Sequence, residues 1–209
     1  MTSGPHGIRY ESEFLAPAEE AALLARFSEL PFRQAEYLQY TARRRVVHYG
    51  GQYDFTRQQL NDAPAIPDWL QSLKVRAATW AGIAPQAIHH ALIAEYSSGT
   101  PLGWHRDVPD FEAIVGVSLG GLATMRFRRY PPQRVDGKPA RAELQLVLEP
   151  RSIYTLQDDA RWGWQHAVSP TKELRYSITF RTRRTPTRGE SVADSRQHDV
   201  ARRSPAWNT

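Results

Sequence analysis

Two histidines and an aspartate stand out as side chains able to hold a metal ion: His105 and Asp107, one residue apart, and His166 far downstream. On a strand, positions i and i+2 point to the same face, so His105 and Asp107 can reach one ion while His166 joins from a distant strand. Two imidazoles and a carboxylate form the facial donor set of non-haem Fe(II) centres, which keep adjacent metal positions open. Alone, a His-x-Asp tripeptide recurs by chance and reads first as an exposed strand end. A second constellation shifts that balance. In Arg175-Tyr-Ser-Ile-Thr-Phe-Arg181, the even separation puts both arginines on one face, with Tyr176, Ile178 and Phe180 on the other. A solvated edge strand would also carry two arginines. Buried arginine is uncommon unless paired, so two on an inner face require anions. A dicarboxylic co-substrate and Asp107 would supply them. The chain has no cysteine, which excludes disulfides, thiolate metal sites and cysteine nucleophiles.

These residues need a scaffold of strands. From residue 88 the pattern gives eight: 88–96, 102–107, 112–119, 122–129, 142–148, 152–157, 164–168 and 174–181. They are punctuated by Gly120-Gly121, Pro131-Pro132, Asp136-Gly137 and Ser169-Pro170. Short strands with turn signals and no intervening helices imply a mainly β chain, a β-sandwich or jelly roll. Upstream, Pro17 to Leu30 and Pro67 to Trp80 carry helical apolar spacing and predict two N-terminal helices packed on an outer sheet face. Between them, Tyr37 to Phe55 predicts two short strands around Gly50-Gly51.

The stretch Ala91-Leu-Ile-Ala-Glu-Tyr96-Ser-Ser-Gly-Thr-Pro-Leu-Gly-Trp-His105-Arg-Asp107, followed by Val117-Ser-Leu-Gly120, Trp164-Gln-His166 and Arg175 to Arg181, resembles the AlkB family. These are Fe(II)- and 2-oxoglutarate-dependent dioxygenases on a double-stranded β-helix, and the resemblance runs from about Arg76 to Arg181. It implies that His105, Asp107 and His166 bind Fe(II). It implies that Arg175 clamps the distal carboxylate of 2-oxoglutarate, that Tyr96 hydrogen-bonds the same molecule, and that Arg181 lies near its metal-proximal carboxylate and Asp107. It implies a single domain over 1–181, with a substrate lid near 36–60 and a jelly-roll core over 88–181. Three positions depart from the family pattern: Ala94 and Ser177 replace frequent asparagines, and Val108-Pro109 interrupt the metal motif before Asp110. The first two bear on how 2-oxoglutarate is hydrogen-bonded, the third on contacts to a substrate base.

The activity so implied is oxidative demethylation of N-alkylated bases in nucleic acid, a direct-reversal repair that releases succinate, CO2 and formaldehyde. An alkylated base must leave its stack to reach the iron, and aromatic and arginine side chains are the usual means of holding it. Tyr49, Tyr53, Trp69 and Arg161 are the candidate substrate contacts, although Trp69 also fits the apolar stripe of its helix. Arg43 with Arg45, and the cluster Arg126, Arg128 and Arg129, are candidates for phosphate or for a solvated face. One alternative is a 2-oxoglutarate-dependent oxygenase acting on tRNA, a protein side chain or a small molecule. A second is a non-enzymatic jelly-roll binding module. The formal net charge of +5, from 24 Arg and 3 Lys against 22 acids, points weakly to an anionic partner. Residues 182–209 contribute +3 of it and predict a flexible basic tail. No apolar run approaches the ~18 residues of a membrane span. The expectation is a cytoplasmic monomer whose partner is alkylated DNA or RNA.

Overall fold

Alternation of apolar and polar residues builds the strands, and the two faces it creates separate the core from the site. The computed structural model describes residues 5–37, 40–54, 59–132, 134–135, 137–139 and 144–185. The strands are β1 (Tyr10–Glu11), β2 (Arg33–Tyr37), β3 (Tyr40–Tyr49), β4 (Gln52–Asp54), β5 (Gln59–Asn61), β6 (Ile88–Tyr96), β7 (Leu102–His105), β8 (Phe111–Gly120) and β9 (Ala123–Arg129). They continue with β10 (Arg134–Val135), β11 (Lys138–Pro139), β12 (Leu144–Leu148), β13 (Ile153–Leu156), β14 (Trp164–Val168) and β15 (Arg175–Arg183). The helices are α1 (Pro17–Phe27), α2 (Asp68–Ala81) and α3 (Asp158–Trp162). A seven-stranded sheet has the order β1-β13-β8-β15-β6-β3-β2, and a four-stranded sheet has the order β12-β9-β14-β7. The eight expected strands are β6 to β9 and β12 to β15. They supply four neighbours to each sheet, as a double-stranded β-helix requires, and β1, β2 and β3 extend the larger sheet.

The outer face of the larger sheet carries Ala91 and Ile93 of β6, Val115 and Val117 of β8, and Ile178 and Phe180 of β15. Against it pack Phe27 of α1 and Leu70, Leu73 and Ala77 of α2, all buried. This is the expected helix-on-sheet arrangement. In α1 the Glu19 carboxylate accepts the Ala16 N–H at 2.8 Å, completing the first turn behind Pro17. The helix stops at Phe27, three residues before the expected end, where the Ser28 hydroxyl donates to the Ala25 carbonyl. Gly82, at φ 72°, ends α2 in the left-handed conformation that favours glycine.

Other features also differ from the expectation. Short elements β1, β2, β5, β10, β11 and α3 are present as well. β3 and β4 flank the Gly50-Gly51 turn but do not pair with each other: β3 lies between β6 and β2, and β4 pairs with β5. Gly50 has φ 75°, donates its N–H to the Pro64 carbonyl at 2.7 Å, and passes so close to His89 that a Cβ would meet its carbonyl oxygen at 1.9 Å. That contact turns the chain away from the larger sheet. β15 also runs two residues past Arg181. Phe55 and residues 186–209 lie outside the described residues. Among the described residues no helix is long and apolar enough to cross a membrane.

Gly116 of β8 stands opposite Tyr154 of β13. A Cβ there would sit 2.2 Å from the buried Tyr154 ring, which would have to shift from its place in the core. Gly116→Ala is expected to destabilise the fold by about 1–3 kcal/mol. A lower denaturant midpoint at unchanged m-value would show this, whereas an unaltered midpoint would contradict the packing.

Candidate active site

Strand register brings the two histidines among the metal-ligand candidates together. β7 and β14 pair with His105 opposite His166, and the ring centroids lie 4.2 Å apart. Asp107 lies just past the end of β7, so the two-residue spacing operates at a strand end and not within a strand, as the sequence suggested. Each of the three residues offers a ligand atom, and these atoms all lie within 4.8 Å of one another. His166 Nε2 is 3.5 Å from Asp107 Oδ2. His105 Nδ1 is 2.9 Å from the Gly103 carbonyl oxygen, which only accepts. The proton therefore sits on Nδ1, and Nε2 keeps its lone pair for a metal.

Arg181 fixes the carboxylate. Its Nε and Nη2 both donate to Asp107 Oδ1, at 3.2 and 2.9 Å, which leaves Oδ2 towards His166. Its Nη1 donates to His90 Nδ1 at 3.2 Å, so His90 is held neutral as an acceptor. Arg175 is 1% exposed and donates from Nε to Ser118 Oγ at 3.1 Å. It is in register with Tyr96 of β6, and its guanidinium lies 4.9 Å from the centre of the Tyr96 ring. One pocket is lined by all six predicted residues: His105, Asp107, His166, Tyr96, Arg175 and Arg181.

Burial and charge set the protonation states. Burial, then the proximity of His105, pushes His166 down to about 3. Burial also lowers His105, against the pull of Asp107. Burial alone would raise Asp107, but Arg181, His166 and His105 outweigh it and hold the carboxyl well below the usual range. Burial likewise opposes ionisation of Tyr96, yet Arg44 and Arg175 bring its hydroxyl below its ordinary value. Two neutral imidazoles beside an ionised carboxylate are what a divalent metal needs, and the donor set fits Fe(II).

The proposed substrate contacts go elsewhere. Arg161 is 3% exposed, and its guanidinium donates to the carbonyls of Asp107, Val108 and Phe111, at 2.7–3.2 Å. It pins the backbone that carries Asp107 and does not line the pocket, because four nearby buried carbonyl contacts satisfy it where it stands. Trp69 packs edge-on to Phe27 in the helix layer. Tyr49 packs against the same core, and neither it nor Tyr53 lines the pocket. Arg45 forms a bidentate pair with Glu95, at 2.7 and 2.9 Å, which accounts for its charge without a phosphate. Arg126 and Arg128 stack over Trp104, at 5.3 and 4.4 Å. Sequence reading missed Arg44, which does line the pocket. The signal was present: the alternation that turns Arg45 and Tyr49 towards the helices turns Arg44, Val46 and His48 inward.

Residues 7–184 match the family model described as the 2OG-Fe(II) oxygenase superfamily. The chain is 28% identical over 190 residues to the uncharacterised protein L905 of Acanthamoeba polyphaga mimivirus, spanning 84% of each. It is 29% identical over 180 residues to the "Alkylated DNA repair protein ALKBH8 homolog" of Arabidopsis thaliana, spanning 78% of this chain and 50% of that protein. It is 32% identical over 132 residues to the "Alpha-ketoglutarate-dependent dioxygenase AlkB" of Escherichia coli K12, spanning 56% of each. The chain thus spans about half the length of these last two relatives. The solved structure of OsALKBH1 superposes with a TM-score of 0.65 at 16% identity, covering 87% of this chain and 100% of that one, which shows a shared fold.

Two outcomes follow from the site's electrostatics. Burial, with nearby arginines, also takes His48 down to about 4. Below the ordinary value of 6.5, unfolded His48 and His166 bind protons that the folded protein refuses until about pH 4 and 3. The metal-free protein is therefore expected to lose stability as pH falls from 6.5, by up to ~1.4 kcal/mol per pH unit for each proton taken up on unfolding. Urea titrations at stepped pH read this directly, and a flat profile between pH 6.5 and 4 would contradict it. Arg161→Leu strands buried carbonyls and frees Asp107. It is expected to cost about 2–4 kcal/mol and to weaken metal binding, measured by melting and metal titration. Wild-type metal affinity in the variant would show that Arg161 does not position the ligand.

Proposed function

This chain belongs to the 2OG-Fe(II) oxygenase superfamily and is AlkB-like, and from that premise we propose that it demethylates N-alkylated bases in nucleic acid. It is a dioxygenase that uses Fe(II) and 2-oxoglutarate. In the proposed assignment His105, Asp107 and His166 hold the iron, Arg175 and Tyr96 take the distal carboxylate of 2-oxoglutarate, and Arg181 lies at the metal-proximal end. The observation that carries this reading is the convergence of three metal donors and two guanidiniums of β15 on one pocket.

When bound, Fe(II) with 2-oxoglutarate and dioxygen supplies an oxidation that yields succinate and CO2 and places one oxygen atom in a substrate C–H bond. A methyl group on nitrogen, once hydroxylated, is a hemiaminal that breaks down to formaldehyde and the bare nitrogen. The protein's part is positioning and electrostatics. Ser118 orients Arg175, and Arg181 turns one oxygen of Asp107 towards His166. Arg161 holds the backbone behind Asp107. Pocket walls of Leu102, Ile114, Met125, Leu156 and Val168 exclude water from the reacting groups.

The name of the Arabidopsis relative, an alkylated DNA repair protein, supports an alkylated base as substrate. One relative favours a second reading with a base in tRNA: the Xenopus tropicalis "tRNA (carboxymethyluridine(34)-5-O)-methyltransferase alkbh8", 22% identical over 176 residues that span 80% of this chain and 26% of that protein.

The test is formaldehyde and succinate release on methylated single-stranded DNA, duplex DNA and tRNA. Coupled formation of both products on one class identifies the substrate. Succinate without formaldehyde on every nucleic acid would refute demethylation. His105→Ala is expected to abolish both products. Arg175→Ala is expected to raise the 2-oxoglutarate requirement by on the order of tenfold or more. Normal turnover in the first variant would remove the ligand assignment, and an unchanged requirement in the second would remove the clamp.

A further inference from the structure

Among the described residues, Asp107 is the sole carboxylate lining a pocket that three guanidiniums enter. Arg181 is neutralised by Asp107. Among the described residues, Arg175 Nε donates only to the neutral Ser118 hydroxyl. The third cation, Arg44, comes from β3, a different element from the two on β15. Its side chain is half-buried, and its Nε is fully buried with no hydrogen-bond partner among the described residues. An orphaned buried guanidinium nitrogen is costly and marks a missing acceptor. Its charge lies close enough to Tyr96 to lower the pKa of the Tyr96 hydroxyl. Its neighbour Arg45, by contrast, is fully paired on the opposite face.

The register shows why Arg44 reaches the pocket. Val46 of β3 lies opposite Ala94 of β6, and Arg45 opposite Glu95, so Arg44 falls beside Tyr96 on the inner face. Val46, Ala94 and Tyr96 form one small cluster there. Ala94 and Ser177 also face the pocket and are short, which leaves the wall beside Tyr96 and Arg175 open to a long side chain.

We propose that Arg44 is a further 2-oxoglutarate-binding residue, which joins Arg175 and Tyr96 in gripping the distal carboxylate from the β3 side. This rests on the placement of 2-oxoglutarate at Arg175 given above. The carboxylate supplies the acceptor that Arg44 Nε lacks, and a second guanidinium offsets the cost of burying that charge.

Calorimetric titration of the Fe(II)-loaded protein without oxygen tests this. The probes are 2-oxoglutarate and 2-oxobutyrate, a keto acid that lacks the distal carboxylate. Arg44→Ala is expected to weaken 2-oxoglutarate binding by on the order of tenfold to a hundredfold while leaving 2-oxobutyrate nearly unchanged. Arg44→Lys is expected to recover part of the loss, and Arg43→Gln, on the outer face, to behave as wild type. Circular dichroism melting confirms that each variant is folded. Unchanged 2-oxoglutarate binding in Arg44→Ala, or an equal loss for both keto acids, would overturn the proposal. If Arg175→Ala also left 2-oxoglutarate binding intact, the placement of the co-substrate itself would fall.

Discussion

A guanidinium cannot be buried without an acceptor, and β15 buries two on its inner face. Everything around the pocket answers to that constraint. Arg181 is held by Asp107, and the same contact orients one carboxylate oxygen towards His166. The residue that neutralises the arginine is thus the residue that offers the metal an anionic ligand. Arg175 is buried against Ser118 and Tyr96, with no ion pair among the described residues, so its charge is available to a carboxylate from outside the protein. A site built this way holds an ionised aspartate beside neutral histidines without further adjustment, because desolvation disfavours charge on the imidazoles while the cations keep the carboxylate ionised.

The two faces of the larger sheet divide the labour. On β6 and β15, one parity of residues packs under α1 and α2, and the other lines the pocket. A single-residue slip would exchange Ile178 and Phe180 for Arg175, Ser177 and Arg181, which sets a strong penalty on the wrong register. The helix layer therefore has a chemical consequence although it is remote from the metal donors: its apolar contacts fix which side chains point inward. Arg161 extends the same logic to an irregular segment. Asp107 lies beyond the end of its strand, where no ladder holds it, and Arg161 supplies the missing hydrogen bonds through the carbonyls of Asp107, Val108 and Phe111.

The substrate side was less legible than the metal side. Tyr49 and Trp69 are aromatic residues in the right stretch of chain, yet both face the helix layer. Periodicity already contained that answer for each: Trp69 belongs to the apolar stripe of α2, and Tyr49 shares parity with Arg45 on β3. Arg161 was read as a site residue from its position near His166. Its burial against backbone carbonyls was invisible because those carbonyls lie about fifty residues away in sequence. Arg44 was hidden among three consecutive arginines, where composition suggested a basic surface and only the pairing of β3 with β6 separated the inward residue from its neighbours.

The sequence by itself determined the donor types, the eight strands and the parity of β15, because these depend on side-chain chemistry and on local periods of two. Without cysteine, any metal had to sit on nitrogen and oxygen. Tertiary structure alone decided which strands became neighbours. That choice set His105 against His166, placed Arg44 beside Tyr96, sent Arg161 to the backbone behind Asp107, and turned β4 away from β3 at Gly50. Each of these depends on contacts between residues distant along the chain, whose register is set by packing of the whole sheet and not by any local pattern.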